Sequence, residues 1–296
     1  MRITKSEMMR HAVFLVAVLA AVVMVYGPLS DLFASRFMRD YHTLIPFIPL
    51  ISLYLLYLKR KEIWERTQYS FGPGIAVIIL GLVLFAMGLV FGKNLNQNDF
   101  ATVITFSSLV LLWGAFIFAY GMKAFTAILF PLLFLVFMIP VPAFIMEKII
   151  LFLQIGSIEV TNLLFAASGV PFLREGFVFH LLGMSVEVAP QCSGIRSGLA
   201  LFITALLAGY LFLDFWRWRI ILVLCVFPIT MLKNGIRITT LTLLGTYVDP
   251  RILQSSLHRE GGIPFFILAL LLMAPILYFL RKTEVQGSRN KVKGKE

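Results

Sequence analysis

Long runs of apolar residues, separated by short polar segments, recur along the chain. Each run is close to the length that an apolar helix needs to cross about 30 Å of hydrocarbon at about 1.5 Å per residue. The pattern therefore predicts an all-α membrane protein, a polytopic bundle of about eight transmembrane helices. The predicted spans are 12–29, 42–58, 72–92, 100–120, 124–139, 194–213, 219–240 and 263–280. We expect the first to be an uncleaved anchor, because no small-x-small cleavage site follows it.

The segment 143–168 is apolar but carries a polar stripe. Glu147, Gln154 and Thr161 recur every seven residues, and further polar residues lie close to the same stripe. This periodicity predicts an amphipathic helix that lies in the membrane interface or lines a cavity, rather than a lipid-exposed span. Beyond it, residues 177–188 alternate loosely about Leu182 and Gly183, which predicts a short β-hairpin on the outer face.

Composition excludes a water-soluble globule. Hydrophobic residues make up 59% of the chain and charged residues 14%, against about 45–50% and about 25% in soluble domains. The same composition excludes a disordered chain, and two cysteines exclude a disulfide scaffold. The net charge of +11 is explained by basic loops that face anionic lipid, so we expect a lipid bilayer as partner and no nucleic acid.

The distribution of Lys and Arg predicts the orientation. With the N-terminus inside and eight crossings, sixteen basic residues fall on the inside and seven on the outside. The positive-inside rule therefore places both termini in the cytoplasm, in the cell membrane. We expect a single polytopic membrane domain over 1–280, and a basic, disordered cytoplasmic tail over 281–296.

Cys192 and Arg237 are candidate catalytic residues at the outer face. Cys192 lies where the external region enters the sixth predicted span, and the positive end of a helix dipole favours the thiolate form there. The alternative interpretation is that Cys192 is only a small apolar residue that packs at the start of a helix. Arg237 is 18 residues from Arg219, or about 27 Å of helix, which places it near the outer interface. An arginine inside an apolar run indicates function, although it can also extend to lipid headgroups.

His258 is the candidate proton carrier, five residues before the last span and also outside. The alternative interpretation is that His258 is an ordinary loop histidine. His42 and His180 are also predicted outside and are further candidates for the proton carrier, whereas His11 is predicted on the inner side. A thiol, a guanidinium and an imidazole at one membrane face can form a thiolate, stabilise an oxyanion and protonate a leaving group. No metal-ligand spacing and no nucleotide loop is present, so we expect no cofactor and no metal.

These segments together resemble the exosortase/archaeosortase family of membrane transpeptidases. The resemblance rests on 192–197 (Cys-Ser-Gly-Ile-Arg-Ser), on 234–237 (Asn-Gly-Ile-Arg), and on His258 shortly before Gly261 and Gly262. The segment 140–142 (Pro-Val-Pro) and Gln154 are also similar to that family. The resemblance covers roughly residues 100–280, and a histidine at 258 favours the bacterial exosortase side.

The resemblance implies a membrane cysteine protease or transpeptidase with a catalytic part at about 140–265. By that likeness Cys192 is the nucleophile, and Arg237 and His258 complete the catalytic set. Arg196, Asn234 and Gly261, which lie in the same segments, are expected to bind substrate. The substrates would be exported proteins with a C-terminal sorting signal, consisting of a motif, a transmembrane helix and a basic cluster. The acyl group would pass from a thioester to an amine-bearing acceptor or to water.

Other functions remain open from sequence alone. A transporter with a broken-helix substrate site is indicated by Pro228 and by intramembrane charge at Lys233 and Arg237, but the two halves of the chain do not mirror each other. A non-enzymatic membrane assembly component is a further alternative. A serine protease is weaker because Ser193 lacks partners at sensible spacing, and a single outer-face cysteine disfavours a thiol oxidoreductase.

Overall fold

A computed structural model describes residues 5–34, 44–68, 70–249, 251 and 262–293. The described chain is helical apart from one small antiparallel sheet, and it divides into two compact units, Met1–Met146 and Glu147–Glu296. The predicted class, an all-α polytopic membrane protein, is confirmed. The expected catalytic part falls almost wholly in the second unit, and the single membrane domain over 1–280 stays a prediction.

The first unit consists of helices joined by short turns. Its helices are α1 (Lys5–Ala34), α2 (Phe47–Leu58), α3 (Arg60–Arg66), α4 (Phe71–Phe91), α5 (Gln97–Tyr120), α6 (Met122–Ala127) and α7 (Leu129–Phe134), with 3₁₀ turns at Gly92–Asn94 and Leu135–Met138. On α4, Gly74, Gly81 and Gly88 are buried at seven-residue spacing. A Cβ atom at Gly74 would lie 2.6 Å from the Cα atom of Phe118. Helices α4 and α5 therefore pack closely through small residues, as is common in membranes.

The second unit contains the long helix α8 and four helices that follow it. They are α8 (Ala143–Ser168), α9 (Ile195–Phe212), α10 (Trp216–Leu224), α11 (Val226–Tyr247) and α12 (Gly262–Lys293). Between α8 and α9 lie β1 (Phe172–Glu175), β2 (Val178–Leu181), β3 (Met184–Glu187) and a 3₁₀ turn at Pro190–Cys192. The strands are antiparallel in the order β1-β2-β3. The predicted hairpin is thus present as β2 and β3, with Gly183 in the turn at φ +80°, and β1 adds a strand that the pattern did not predict.

Seven described helical segments are long and apolar enough to cross a membrane, and they differ in part from the predicted spans. They are Met8–Ala34, Phe71–Asn94, Gln97–Tyr120, Ala143–Ser168, Pro190–Phe212, Trp216–Tyr247 and Ile263–Gly287. Two predicted spans, 42–58 and 124–139, instead form the short helices α2, α6 and α7. Proline explains both differences: α2 starts only after Pro46, and the ring of Pro131 in α7 would clash with the carbonyl of Ala127, where α6 ends.

Helix α8 is one continuous helix of 26 residues. Its polar stripe points into the protein, because Gln154, Ser157 and Thr161 are buried, whereas Glu147 near its start is exposed. The polar stripe predicted for this segment is therefore an internal surface of the second unit, on a helix that is long enough to span.

Helix α12 continues past the predicted end of the last span. The segment expected to be a disordered tail is helical as far as Lys293. Glu284 explains the start of this extension, because its buried carboxylate accepts hydrogen bonds from the backbone N–H groups of Asp214 (3.1 Å) and Phe215 (2.7 Å). These bonds fix α12 to the connection between α9 and α10.

Candidate active site

Cys192 lies in a tight turn between the sheet and α9. Its backbone N–H donates to the carbonyl of Ala189 at 2.8 Å, and the N–H of Ser193 donates to that of Pro190 at 3.1 Å. Helix α9 begins only at Ile195, so the expected placement of the thiol in the first turn of the helix is wrong. Gly194, at φ +78°, interrupts the helical path between the two.

Gly194 also lets the turn approach α11. A Cβ atom at this position would lie 3.0 Å from the Cγ atom of Asn234, a separation tighter than ordinary van der Waals contact. Both the left-handed backbone and the lack of space therefore favour glycine at this position. The turn that carries Cys192 rests directly on α11 as a result.

Asn234 joins that turn to two helices. Its Nδ2 group donates to the carbonyl oxygen of Cys192 at 2.7 Å and to the hydroxyl oxygen of Ser157 on α8 at 3.0 Å, and the side chain is fully buried. From α8, Gln154 donates to the carbonyl of Val188 at 2.5 Å. Sequence analysis assigned Asn234 to substrate binding, but its amide in the structure holds the backbone of the candidate nucleophile.

Cys192 and Arg237 line one cavity of about 60 Å³. The other lining residues are Val186, Glu187 and Val188 from the end of β3 and beyond, and Ile238, Leu241 and Thr242 from α11. The lining is thus mostly apolar, and Cys192, Arg237 and Glu187 are its residues with ionisable side chains. Two of the three predicted catalytic residues are therefore brought together, although they are 45 positions apart in the sequence.

Glu187 is the cavity residue that sequence analysis missed. It is the last residue of β3, and its side chain is exposed at the cavity. The available signal was its position five residues before Cys192, at the end of the predicted hairpin. A hairpin that leads directly into the nucleophile turn places the last residues of its second strand beside the nucleophile.

The polar residues of α11 share one face. Thr230, Lys233, Asn234 and Arg237 follow helical spacing, and the ammonium group of Lys233, which is 2% exposed, donates to the hydroxyl of Ser197 on α9. Helix α11 is continuous from Val226 to Tyr247. Over this segment it therefore lacks the interruption that a broken-helix transporter site requires.

Among the described residues, none of the other candidates lines the cavity of Cys192 and Arg237. Arg196 lies on α9 with an exposed side chain. His258 and Gly261 fall outside the described residues, as does His42. His180 on β2 shares a hydrogen bond of 2.8 Å with the hydroxyl of Ser185, and His11 belongs to the first unit.

Both cysteines are free thiols. Cys225 lies between α10 and α11 and packs against the apolar cluster of the second unit that includes Leu222 and Val226. Among the described residues, no group of three or more His, Cys, Asp and Glu side chains is placed to hold a metal ion.

The family model described as transmembrane exosortase matches residues 34–275. This chain belongs to the transmembrane exosortase family. No curated protein and no solved structure matches the chain. Exosortases are membrane cysteine transpeptidases that act on exported proteins with C-terminal sorting signals, so membership supports a transpeptidase or protease-like role in a multi-pass membrane protein. The matched range contains the cavity and the segments 192–197 and 234–237.

Proposed function

We propose that this exosortase cleaves the C-terminal sorting signal of exported proteins with Cys192 as nucleophile and transfers the acyl part to an acceptor. The observation that carries the proposal is the shared cavity of Cys192 and Arg237. A thiol and a permanent cation that face one small, largely apolar space suit acyl transfer, because the cation is strongest where water is excluded.

The reaction uses Cys192 and Arg237 at the cavity, and His258 as the proton carrier that the family resemblance implies. The thiolate of Cys192 attacks the scissile carbonyl, and Arg237 stabilises the oxyanion of the tetrahedral intermediate. The carbon–nitrogen bond then breaks, His258 gives the departing amine the proton that it took from the thiol of Cys192, and a thioester remains on Cys192. An amine acceptor, or water, takes the acyl group and releases the thiol.

The charge distribution of the second unit supports an outer location for this cavity. Arg217 and Arg219 lie at the end of the unit where the α9–α10 connection meets α12, and Arg281 lies 5.9 Å from the ring of Phe212 at the same end. Cys192 precedes α9 at its opposite end. By the positive-inside rule the basic end, which carries the end of α12, is cytoplasmic, and the cavity then faces the outside.

The test uses the full chain co-expressed with an exported reporter. The reporter carries C-terminal tails from proteins of the same genome that end in a shared motif, an apolar helix and a basic cluster. We expect Cys192→Ala to abolish shortening of the reporter and Arg237→Ala to slow it by about 10²–10³-fold, with both variants still inserted. Cys225→Ala is the matched control and should process normally.

A reporter peptide trapped as a thioester on Cys192 and identified by mass spectrometry would give direct support. Processing by Cys192→Ala at the wild-type rate would overturn the proposal.

A further inference from the structure

The first unit contains a cavity of about 130 Å³. Its lining residues are Arg10, His11, Trp64, Thr67 and Tyr120. One water molecule needs about 10–15 Å³ measured in this way, so the cavity has room for a small polar group. Nothing in the proposed transpeptidase reaction uses these residues.

Helix ends place this cavity at the level of the membrane surface. Arg10 and His11 lie near the beginning of α1, Tyr120 is the last residue of α5, and Trp64 belongs to the short helix α3. Trp and Tyr are typical of the membrane–water interface, where their rings sit among headgroups. These positions indicate a cavity near the level of the lipid headgroups.

Every lining side chain carries a hydrogen-bond donor. The hydroxyl of Tyr120 and Nδ1 of His11 share a hydrogen bond of 2.7 Å, and the ring of Trp64 meets that of His11 edge-on at 5.3 Å. These contacts fix the imidazole in the cavity wall. The hydroxyl of Thr67 is directed to the carbonyl of Ile63 at 2.7 Å.

The charge around the cavity is positive. Among the described residues, no carboxylate lines it; the nearby Glu62 is paired with Lys59 at 3.2 Å. Helix α3 carries the exposed Arg60, Lys61 and Arg66 against one exposed carboxylate, Glu65, so its charge at the same membrane level is also positive. A space lined by donors and a guanidinium favours a ligand that is anionic and rich in acceptors.

We propose that this cavity binds a phosphate group, carried by the headgroup of an anionic phospholipid. Phosphate oxygens accept hydrogen bonds, and the planar guanidinium of Arg10 can contact two of them at once. The interfacial position favours a lipid as the source, while free inorganic phosphate has the same chemistry. Binding there ties α1, α3 and α5 to the lipid surface.

The test measures ligand binding to the purified full chain by native mass spectrometry. The probes are phosphatidylglycerol, phosphatidylcholine and inorganic phosphate, each titrated separately. Phosphatidylglycerol should bind at least about tenfold more tightly than phosphatidylcholine, and Arg10→Gln should weaken its binding about tenfold. Lys61→Gln, which removes an exposed cation of the same face, is the matched control and should change binding less than twofold.

A second, more conservative variant distinguishes loss of the binding site from misfolding of the chain. Tyr120→Phe keeps the ring but removes the hydroxyl that holds His11, and it should weaken phosphatidylglycerol binding several-fold. Inorganic phosphate that binds alone and is lost in Arg10→Gln supports the phosphate site with a soluble source. Equal affinity for the two lipids, equal losses in Arg10→Gln and Lys61→Gln, or unchanged binding by Tyr120→Phe would each overturn the proposal.

Discussion

At the scale of single residues, the amide of Asn234 is the contact that holds the nucleophile's backbone. Its two donated bonds reach the carbonyl of Cys192 and the hydroxyl of Ser157. A buried acceptor that loses its donor costs about 1–3 kcal/mol. The position of Cys192 therefore depends on a side chain that has no need to touch the substrate.

Asn234→Ala is expected to loosen the turn of Cys192. The loss of two buried hydrogen bonds should lower the thermal midpoint by several degrees, at about 2–4 °C per kcal/mol for a chain of this size. In a Cys225→Ser background, iodoacetamide should also alkylate Cys192 several-fold faster. Asn162→Ala on α8 serves as the control and should leave both quantities unchanged. Wild-type alkylation and melting of Asn234→Ala would contradict this role.

Lys233→Met is expected to preserve or raise thermal stability. Methionine fills a similar volume and removes a cation that is 2% exposed, and buried charge is costly to desolvate. Lys233→Ala should instead lower the thermal midpoint, because it leaves a void. If both variants melt at the same lowered temperature, the contact between Lys233 and Ser197 is worth more than the desolvation of the lysine.

The candidate site was predictable at the residues whose chemistry is unusual in a membrane. Cys192 and Arg237 stand out because a helix start favours a thiolate and an arginine within an apolar run is costly, and the structure brings both to one cavity. Glu187 was missed because a carboxylate in an external hairpin is common, and only its position five residues before Cys192 pointed to the cavity. The structural role of Asn234 was missed because it depends on the left-handed backbone of Gly194, which lets two distant segments meet.

At the scale of elements, close packing of α8 against α11 positions the site. A Cβ atom at Gly235 would contact Val160, lying 2.8 Å from its Cβ atom, whereas one at Gly156 would meet only the flexible side chain of Met231. A branched residue on a helix cannot move aside as a methionine can. The spacing of the two helices is therefore set at Gly235.

Gly235→Ala is expected to destabilise the second unit by about 1–3 kcal/mol, since α8 must shift. Val160→Ala in the same chain should restore part of the loss, because it removes Cγ1, the nearest clashing atom, while the Cβ atom stays. Gly156→Ala should cost clearly less. These effects are read from thermal unfolding in detergent, and a Gly235→Ala variant that Val160→Ala fails to rescue would show that the steric explanation is wrong.

The extension of α12 depends on Glu284. Glu284→Gln replaces one acceptor oxygen by a donor that faces the N–H groups of Asp214 and Phe215, so the connection between α9 and α10 should be destabilised by about 1–3 kcal/mol. Hydrogen exchange should accelerate at residues 213–216. Lys282→Gln, a change at an exposed residue of the same helix, should leave hydrogen exchange at 213–216 as in the wild type. If both variants accelerate exchange, the carboxylate of Glu284 does not hold the connection.

The limits of element prediction have a physical origin. Apolar length alone located most of the spans, but it cannot register a clash between the Pro131 ring and the carbonyl of Ala127, which separates α6 from α7. Strand β1 was missed because it lies before the alternating segment 177–188 and has no such pattern of its own; it is held by pairing with β2.

At the scale of the whole molecule, the proposed orientation places the sheet outside and the basic end of the second unit inside. In a Cys192→Ala, Cys225→Ala background, Leu182→Cys in the β2–β3 turn should react with a membrane-impermeant maleimide on intact cells. Thr283→Cys on α12 should react only after the cells are opened. Labelling of both positions from the same side would refute the orientation.

Gly194 and Asn234 are 40 positions apart, yet the side chain of Asn234 packs directly against the Cα atom of Gly194, where a Cβ atom would otherwise lie. Enlarging the glycine displaces the amide, and enlarging the amide displaces the backbone of the turn. Substitutions at the two positions are therefore coupled. Sequences that keep the cysteine should either retain both Gly194 and Asn234 or change both together.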